Sequence, residues 1–180
     1  MSDAIVRQKT IMPAPVSGPS SAPEPEVFEY LGFMLADEQY ALPLTSIREI
    51  LKPPPVTHVP RAPEDILGVV SVRGRVTTVV DLRRRLRMPE SEMTKLSRVL
   101  LVDDGREIVG VLVDAVLAVV RLGPEELELA ANVGGDTVDY VRGIGRPGAR
   151  GAGRSARSDG RWTLKDDILI LLDPRALLRR

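Results

Sequence analysis

The feature that most constrains this chain is that one stretch of it can be laid on another 69 residues away. Ala41-Leu42-Pro43-Leu44 falls on Gly110-Val111-Leu112-Val113, Ile47 on Val116, and Ile50 on Val119. The same register places Val72-Arg73-Gly74 on Val141-Arg142-Gly143. A second match, Val79-Val80-Asp81-Leu82-Arg83 on Leu171-Leu172-Asp173-Pro174-Arg175, needs a shift of 92. The difference between 92 and 69 implies an insertion of 23 residues after the second Arg-Gly pair. Valine-rich strands resemble one another by chance. The weight therefore rests on the paired Val-Arg-Gly and on a strand ending in Asp-x-Arg in both halves. Each copy has room for a barrel of about five strands, and barrels that small bury little core, so two packed together are expected.

The local pattern agrees. From Phe28 onward the chain consists of short apolar runs, with strands expected near 28–35, 39–44, 68–73, 75–81, 97–103, 107–113, 115–121, 140–145 and 167–173. Ile47-Arg48-Glu49-Ile50-Leu51 alternates apolar and charged residues, as a half-buried strand does. Asp37-Glu38, Pro53-Pro54-Pro55, Arg73-Gly74 and Asp103-Asp104-Gly105 punctuate the runs. No long helical period is present. Short helices are expected after Asp81, around Pro124–Leu127 and after Asp173, with Asp81 and Asp173 as N-caps and Pro174 at the first helical position. The fold class is all-β, with a first barrel over about 27–92 and a second over about 93–180. Residues 1–26 carry Pro13, Pro15, Pro19, Pro23 and Pro25 among small residues and are expected to be a disordered leader.

Composition excludes several classes of chemistry. The chain has no cysteine, which removes disulfides, thiol nucleophiles and thiolate metal sites, and its only histidine is His58. Formal net charge is zero, so no global field draws it to nucleic acid or to an anionic membrane. The apolar run Ile108–Val120 contains Asp114 and is too short to span a bilayer. Residues 1–26 hold no apolar run of the signal-peptide kind, so a cytoplasmic protein is expected. Ser46, Ser71 and Ser97 have no base in sequence context, and Gly143-Ile144-Gly145 lacks the rest of a dinucleotide fingerprint. Asp103-Asp104-Gly105 fits a hairpin turn better than a cation loop, and His58 fits a strand residue with one exposed edge better than a catalytic base. No catalytic constellation and no cofactor site are expected. An insertion over about 146–165 holds Arg146, Arg150, Arg154, Arg157 and Arg161 among glycines. It is either a solvated loop or a contact for RNA phosphates or an acidic partner, and no aromatic residue interleaves it until Trp162.

Three places resemble recognition elements. Arg73 ends an apolar run just before a glycine, where its guanidinium either locks the turn through an internal salt bridge or reaches a partner carboxylate. Glu49 lies on the charged face of the alternating run. Gly68 either admits a close backbone approach or marks a bend.

The ordered set of fragments is similar to the CheW family. The fragments are Tyr40-Ala41-Leu42-Pro43, Ile47-Arg48-Glu49-Ile50, Val59-Pro60-Arg61-Ala62-Pro63, Leu67 to Gly74, and Val79-Val80-Asp81-Leu82-Arg83. In the second half they are Gly110 to Val116, Tyr140-Val141-Arg142-Gly143, and Ile168 to Asp173. The resemblance covers about Phe28 to Leu178 and implies two SH3-like five-stranded barrels without catalytic activity. It implies an adaptor between the cytoplasmic tips of methyl-accepting chemoreceptors and the regulatory domain of a CheA-type histidine kinase, placed in receptor clusters. It assigns partner contacts to Ile47, Glu49, Gly68 and Arg73, and a second interface region to Val113 and Asp114. The leader and the arginine-glycine insertion depart from the family pattern.

Overall fold

A computed structural model describes residues 26–129, 140–148 and 168–179. The expected leader and most of the arginine-glycine insertion lie outside the described residues. The elements follow one another as β1 (Phe28–Leu35), β2 (Glu38–Pro43), β3 (Ile47–Leu51), β4 (Ile66–Val72), β5 (Arg75–Asp81), α1 (Leu82–Arg85), β6 (Arg98–Asp103) and β7 (Ile108–Val113). Then come β8 (Ala115–Leu122), β9 (Leu127–Leu129), β10 (Val141–Gly145), β11 (Leu169–Leu172) and α2 (Pro174–Leu178). Tight 3-10 turns at Leu44–Ser46 and Pro124–Glu126 precede β3 and β9. Both α-helices start as expected, because the Asp81 and Asp173 carboxylates each accept two backbone N–H bonds of the first turn.

The strands form a six-stranded sheet, β8-β1-β2-β11-β10-β9, and a five-stranded sheet, β3-β6-β7-β5-β4. The fold is thus mostly β in two packed units, but neither sheet closes: among the described residues no backbone pairing joins β8 to β9 or β3 to β4. Nor do the units follow the expected division at residue 92. The hairpin β1–β2 pairs with β8 and, in parallel, with β11, while β6–β7 pairs with β3 and, in parallel, with β5. Each half lends its first hairpin to the other half's sheet. The chain crosses over at Leu44–Ser46, just after Pro43, which has no N–H with which to extend β2.

The internal repeat survives this exchange, because equivalent pairs obey it. Gly32 faces Ala41 as Leu101 faces Gly110, and Phe33 faces Val116 as Val102 faces Ile47, all at a shift of 69. Ala41 meets Leu171 across the parallel ladder as Gly110 meets Val79, which joins the shift of 69 to that of 92. One expected match is corrected. Arg73-Gly74 forms the β4–β5 turn, whereas Arg142-Gly143 lies inside β10. The counterpart of Gly143 is Gly68, at a shift of 75, since both strands bulge there: Gly68 faces Val79 and Gly143 faces Leu171.

Side-chain alternation produces three packed regions. Leu31, Phe33 and Leu35 of β1, Tyr40 and Leu42 of β2, Leu100 and Val102 of β6, and Val109, Val111 and Val113 of β7 form one core shared by both sheets. Tyr30, Ala41, Val120, Leu122, Leu169 and Leu171 fill the curl of the six-stranded sheet, and Val70, Val79, Val99 and Leu101 that of the five-stranded one. The exchanged hairpins are therefore buried on both faces, which is why their sequences are nearly continuous apolar runs. Tyr40 brings a hydroxyl into the shared core and donates it to Glu38 Oε2 at 2.6 Å. Burial, aided by that bond, pushes its ionisation well above the usual tyrosine range.

Candidate protein-interaction site

The five-stranded sheet ends in two edges, β3 and β4, and its curl brings them near each other. Arg73 and Gly74 occupy the two-residue turn between β4 and β5, closed by the Val72–Arg75 pair, with φ of 51° and 80°. Positive φ at both positions twists the turn to match the strands, and this normally favours Asn-Gly. From there Arg73 Nη2 donates to Glu49 Oε1 of β3 at 2.9 Å. A side-chain pair thus spans the gap that the backbone leaves open. Of the two readings of Arg73, the internal partner is present, yet 80% of the arginine side chain remains exposed against 30% for Glu49. Glu49 is half-buried, not the freely solvated charge that alternation alone implies.

Ile47 opens β3, half-buried against the shared core. The register then slips: Ile47 faces Val102 and Glu49 faces Leu101, so Arg48 is the extra residue of a bulge. Arg48 turns outward and donates to Asp103 Oδ2 from Nη2 at 2.6 Å and from Nε at 3.1 Å. Those bonds, with a further one from the Gly105 amide, hold the Asp103 carboxyl below its ordinary range. Asp103 and Asp104 otherwise serve the β6–β7 hairpin, their carboxylates accepting the amides of Gly105, Arg106 and Glu107. The hairpin reading of Asp103-Asp104-Gly105 matches this geometry.

Gly68 does admit a close approach. It has φ of 147°, and a Cβ built on it would stand 2.2 Å from the carbonyl oxygen of Thr57. Thr57 and Val69 exchange backbone hydrogen bonds of 2.8 Å in both directions, pinning the segment that carries His58 to β4. His58 itself is exposed beside that bridge and belongs to no strand. The prediction is that Gly68→Ala lowers stability by about 1–3 kcal/mol, measured by chemical denaturation, because the Thr57 segment must move or β4 must shift.

Val113 and Asp114 lie elsewhere. Val113 is 1% exposed inside the shared core, so the expectation that it meets a partner is corrected. Asp114 accepts Arg83 Nε at 2.9 Å and Nη2 at 2.5 Å, and the backbone N–H of Ala36 at 2.6 Å. This bracket ties the β7–β8 corner to α1 and to the β1–β2 turn, and it raises the Arg83 ionisation further. The role of Arg83 went unseen in the sequence, where Asp81-Leu82-Arg83 marked the repeat, a helix start and the family resemblance. The signal was present in that motif, because an arginine two residues past a capping aspartate is carried to a fixed place by the helix start.

The site therefore consists of an arginine on a rigid turn, an acid across a gap between edge strands, and solvent-exposed apolar residues, Ile50 on edge strand β3 and Val76 beside the β4–β5 turn. Such a frame is that of a scaffold protein that presents surfaces. The chain belongs to the CheW family: the model of the CheW-like domain matches residues 29–180. It is 29% identical over 150 residues to the chemotaxis protein CheW of Helicobacter pylori, spanning 83% of this chain and 88% of that one. It is 37% identical over 98 residues to the chemotaxis protein CheW of Bacillus subtilis, spanning 54% and 63%. The scaffolding protein TtCheW of Thermoanaerobacter tengcongensis has the same fold, with a TM-score of 0.69 at 25% identity over 87% of this chain and 94% of that one. The family resemblance read from the sequence is thus shown, and with it a CheW-like chemotaxis scaffold. No helix of the described residues is long and apolar enough to cross a membrane.

Proposed function

We propose that this chain is a non-catalytic adaptor that couples methyl-accepting chemoreceptors to a CheA-type histidine kinase, working at the cytoplasmic tips of receptor clusters. Its partner surface consists of Ile47, Glu49, Gly68 and Arg73. Gly68 acts by letting the backbone of β4 sit against Thr57, and Asp114 acts by fixing the β7–β8 corner. The carrying observation is the backbone of Arg73. A non-glycine residue in the left-handed region costs roughly 1–2 kcal/mol, while an exposed ion pair returns only about 0–1 kcal/mol. Stability alone does not favour arginine there over asparagine, and retained strain with an exposed guanidinium supports a binding role.

The experiment is reconstitution. The purified chain is mixed with a CheA-type kinase and the cytoplasmic fragment of a chemoreceptor, and kinase autophosphorylation is followed with and without it. Receptor control of the kinase that depends on added chain is the expected result. Kinase output that never responds to the chain, across the receptors and kinases of its own cell, overturns the proposal.

A further inference from the structure

The repeat makes a detailed comparison available between the Asp114 bracket and its counterpart in the other half. By the shifts of 69 and 92, Ala36 corresponds to Gly105, Asp114 to Thr45 and Arg83 to Arg175. Much of the arrangement is duplicated. Ala36 and Gly105 both have positive φ, 53° and 89°, in their hairpin turns. Arg83 and Arg175 both begin a helix by donating their amides to the capping aspartate, at 2.9 Å and 2.8 Å. The Arg175 guanidinium lies over the Gly105 turn, its Nη2 3.3 Å from where a Cβ of Gly105 would stand. The acid is not duplicated: the position of Asp114 is held by Thr45.

Around Arg175 the surface is concave. A groove of about 590 Å³ is lined by Arg106, Arg142, Arg175 and Arg179 together with Asp104 and Asp173. A second hollow of about 430 Å³ adjoins it and reaches Thr45 and Arg48. Among the described residues, no side chain of Arg106, Arg142, Arg175 or Arg179 takes part in an ion pair. The two aspartates in the lining each hold backbone amides with their Oδ1, Asp104 in its hairpin and Asp173 at the start of α2.

We propose that this groove binds carboxylate side chains from an acidic segment of a partner protein, which bring from outside the acid that Asp114 supplies within the other half. Guanidinium groups match carboxylates in a planar, two-bond geometry, as Arg83 and Asp114 already do here. Asp104 and Asp173 in the lining disfavour a continuous polyphosphate, and among the described residues no aromatic side chain lines either hollow to stack a base. The surface shares no residue with the Glu49–Arg73 pair, so its fate and that of the adaptor proposal are separable.

The test uses the full chain and an octaglutamate peptide, with binding followed by calorimetry and by the Gly105 amide resonance. The wild type binds the peptide, and more weakly as salt rises. Arg175→Gln weakens binding by roughly five- to tenfold, whereas Arg121→Gln, on the far strand β8, does not. Thr45→Asp restores the missing acid within the chain: it excludes the peptide and raises the thermal midpoint. No peptide binding to the wild type overturns the proposal, as does binding that a folded Thr45→Asp variant retains in full. Tighter binding of an oligothymidylate than of octaglutamate overturns it in favour of nucleic acid.

Discussion

Phe33→Ala is expected to unfold both sheets together, with a loss of about 3–5 kcal/mol. Phe33 is fully buried on β1 and stacks on Tyr40, with ring centroids 6.2 Å apart. Its cluster also contains Val102, Val109, Val111 and Val113 from the exchanged hairpin of the other half. A cavity here therefore weakens strands of both sheets at once. The loss is a large share of a typical domain's total stability of roughly 5–15 kcal/mol. Calorimetry of the variant should show one transition at a lower midpoint. Two resolved transitions, one of them unmoved, would mean that the sheets are energetically separate.

Arg73→Glu should do the opposite, leaving the fold intact while removing partner binding. The Arg73–Glu49 pair is exposed, so losing it and placing two acids across the gap costs within about 1 kcal/mol of stability. In a complex, the same guanidinium loses its water. Reversing its charge there costs about 2–5 kcal/mol, a thirtyfold to several-thousandfold loss of affinity. The measurement is affinity for the kinase and for the receptor fragment, beside a thermal melt. Unchanged affinity for both would make Arg73 a residue of the turn alone. Glu49→Arg combined with Arg73→Glu separates the two roles, since it can restore the internal pair without restoring the surface charge at the turn.

Much of the fold was legible because its determinants are local. The capping aspartates, Pro174 and the Asp-Gly hairpin each act within a few residues, and the elements they delimit stand where they were expected. The shift of 69 was legible because paired strands in one half repeat their register in the other. The hairpin exchange left no such trace. The parallel ladder between Tyr40–Ala41 and Ile170–Leu171 depends on residues 130 apart, and strand periodicity looks the same whichever sheet a strand joins. Three-residue β9 is too short to show alternation. At the site, Arg73 and Gly68 stood out because an arginine before a glycine, and a glycine in a strand, conflict with ordinary strand composition. Their pairings did not, since the Glu49 carboxylate and the Thr57 carbonyl are brought into reach by bulges and by the curl of the sheet. Val113 was misjudged because its neighbour Asp114 marks the end of a strand, and only packing shows that the valine points inward.

The parallel ladder also sets an order of events during synthesis. β1 and β2 leave the ribosome well before their neighbours β8 and β11, which are encoded far downstream. At roughly 5–20 residues per second, the 130 residues between Tyr40 and Ile170 take on the order of ten seconds to emerge. Until β8 emerges the first hairpin has open edges on both sides, and its β2 edge stays open until β11 follows, the condition in which strands pair with the wrong partner. The β1–β2 hairpin is thus fully enclosed only when β11 arrives, and the yield of folded protein should depend on how well that hairpin is kept apart from others until then.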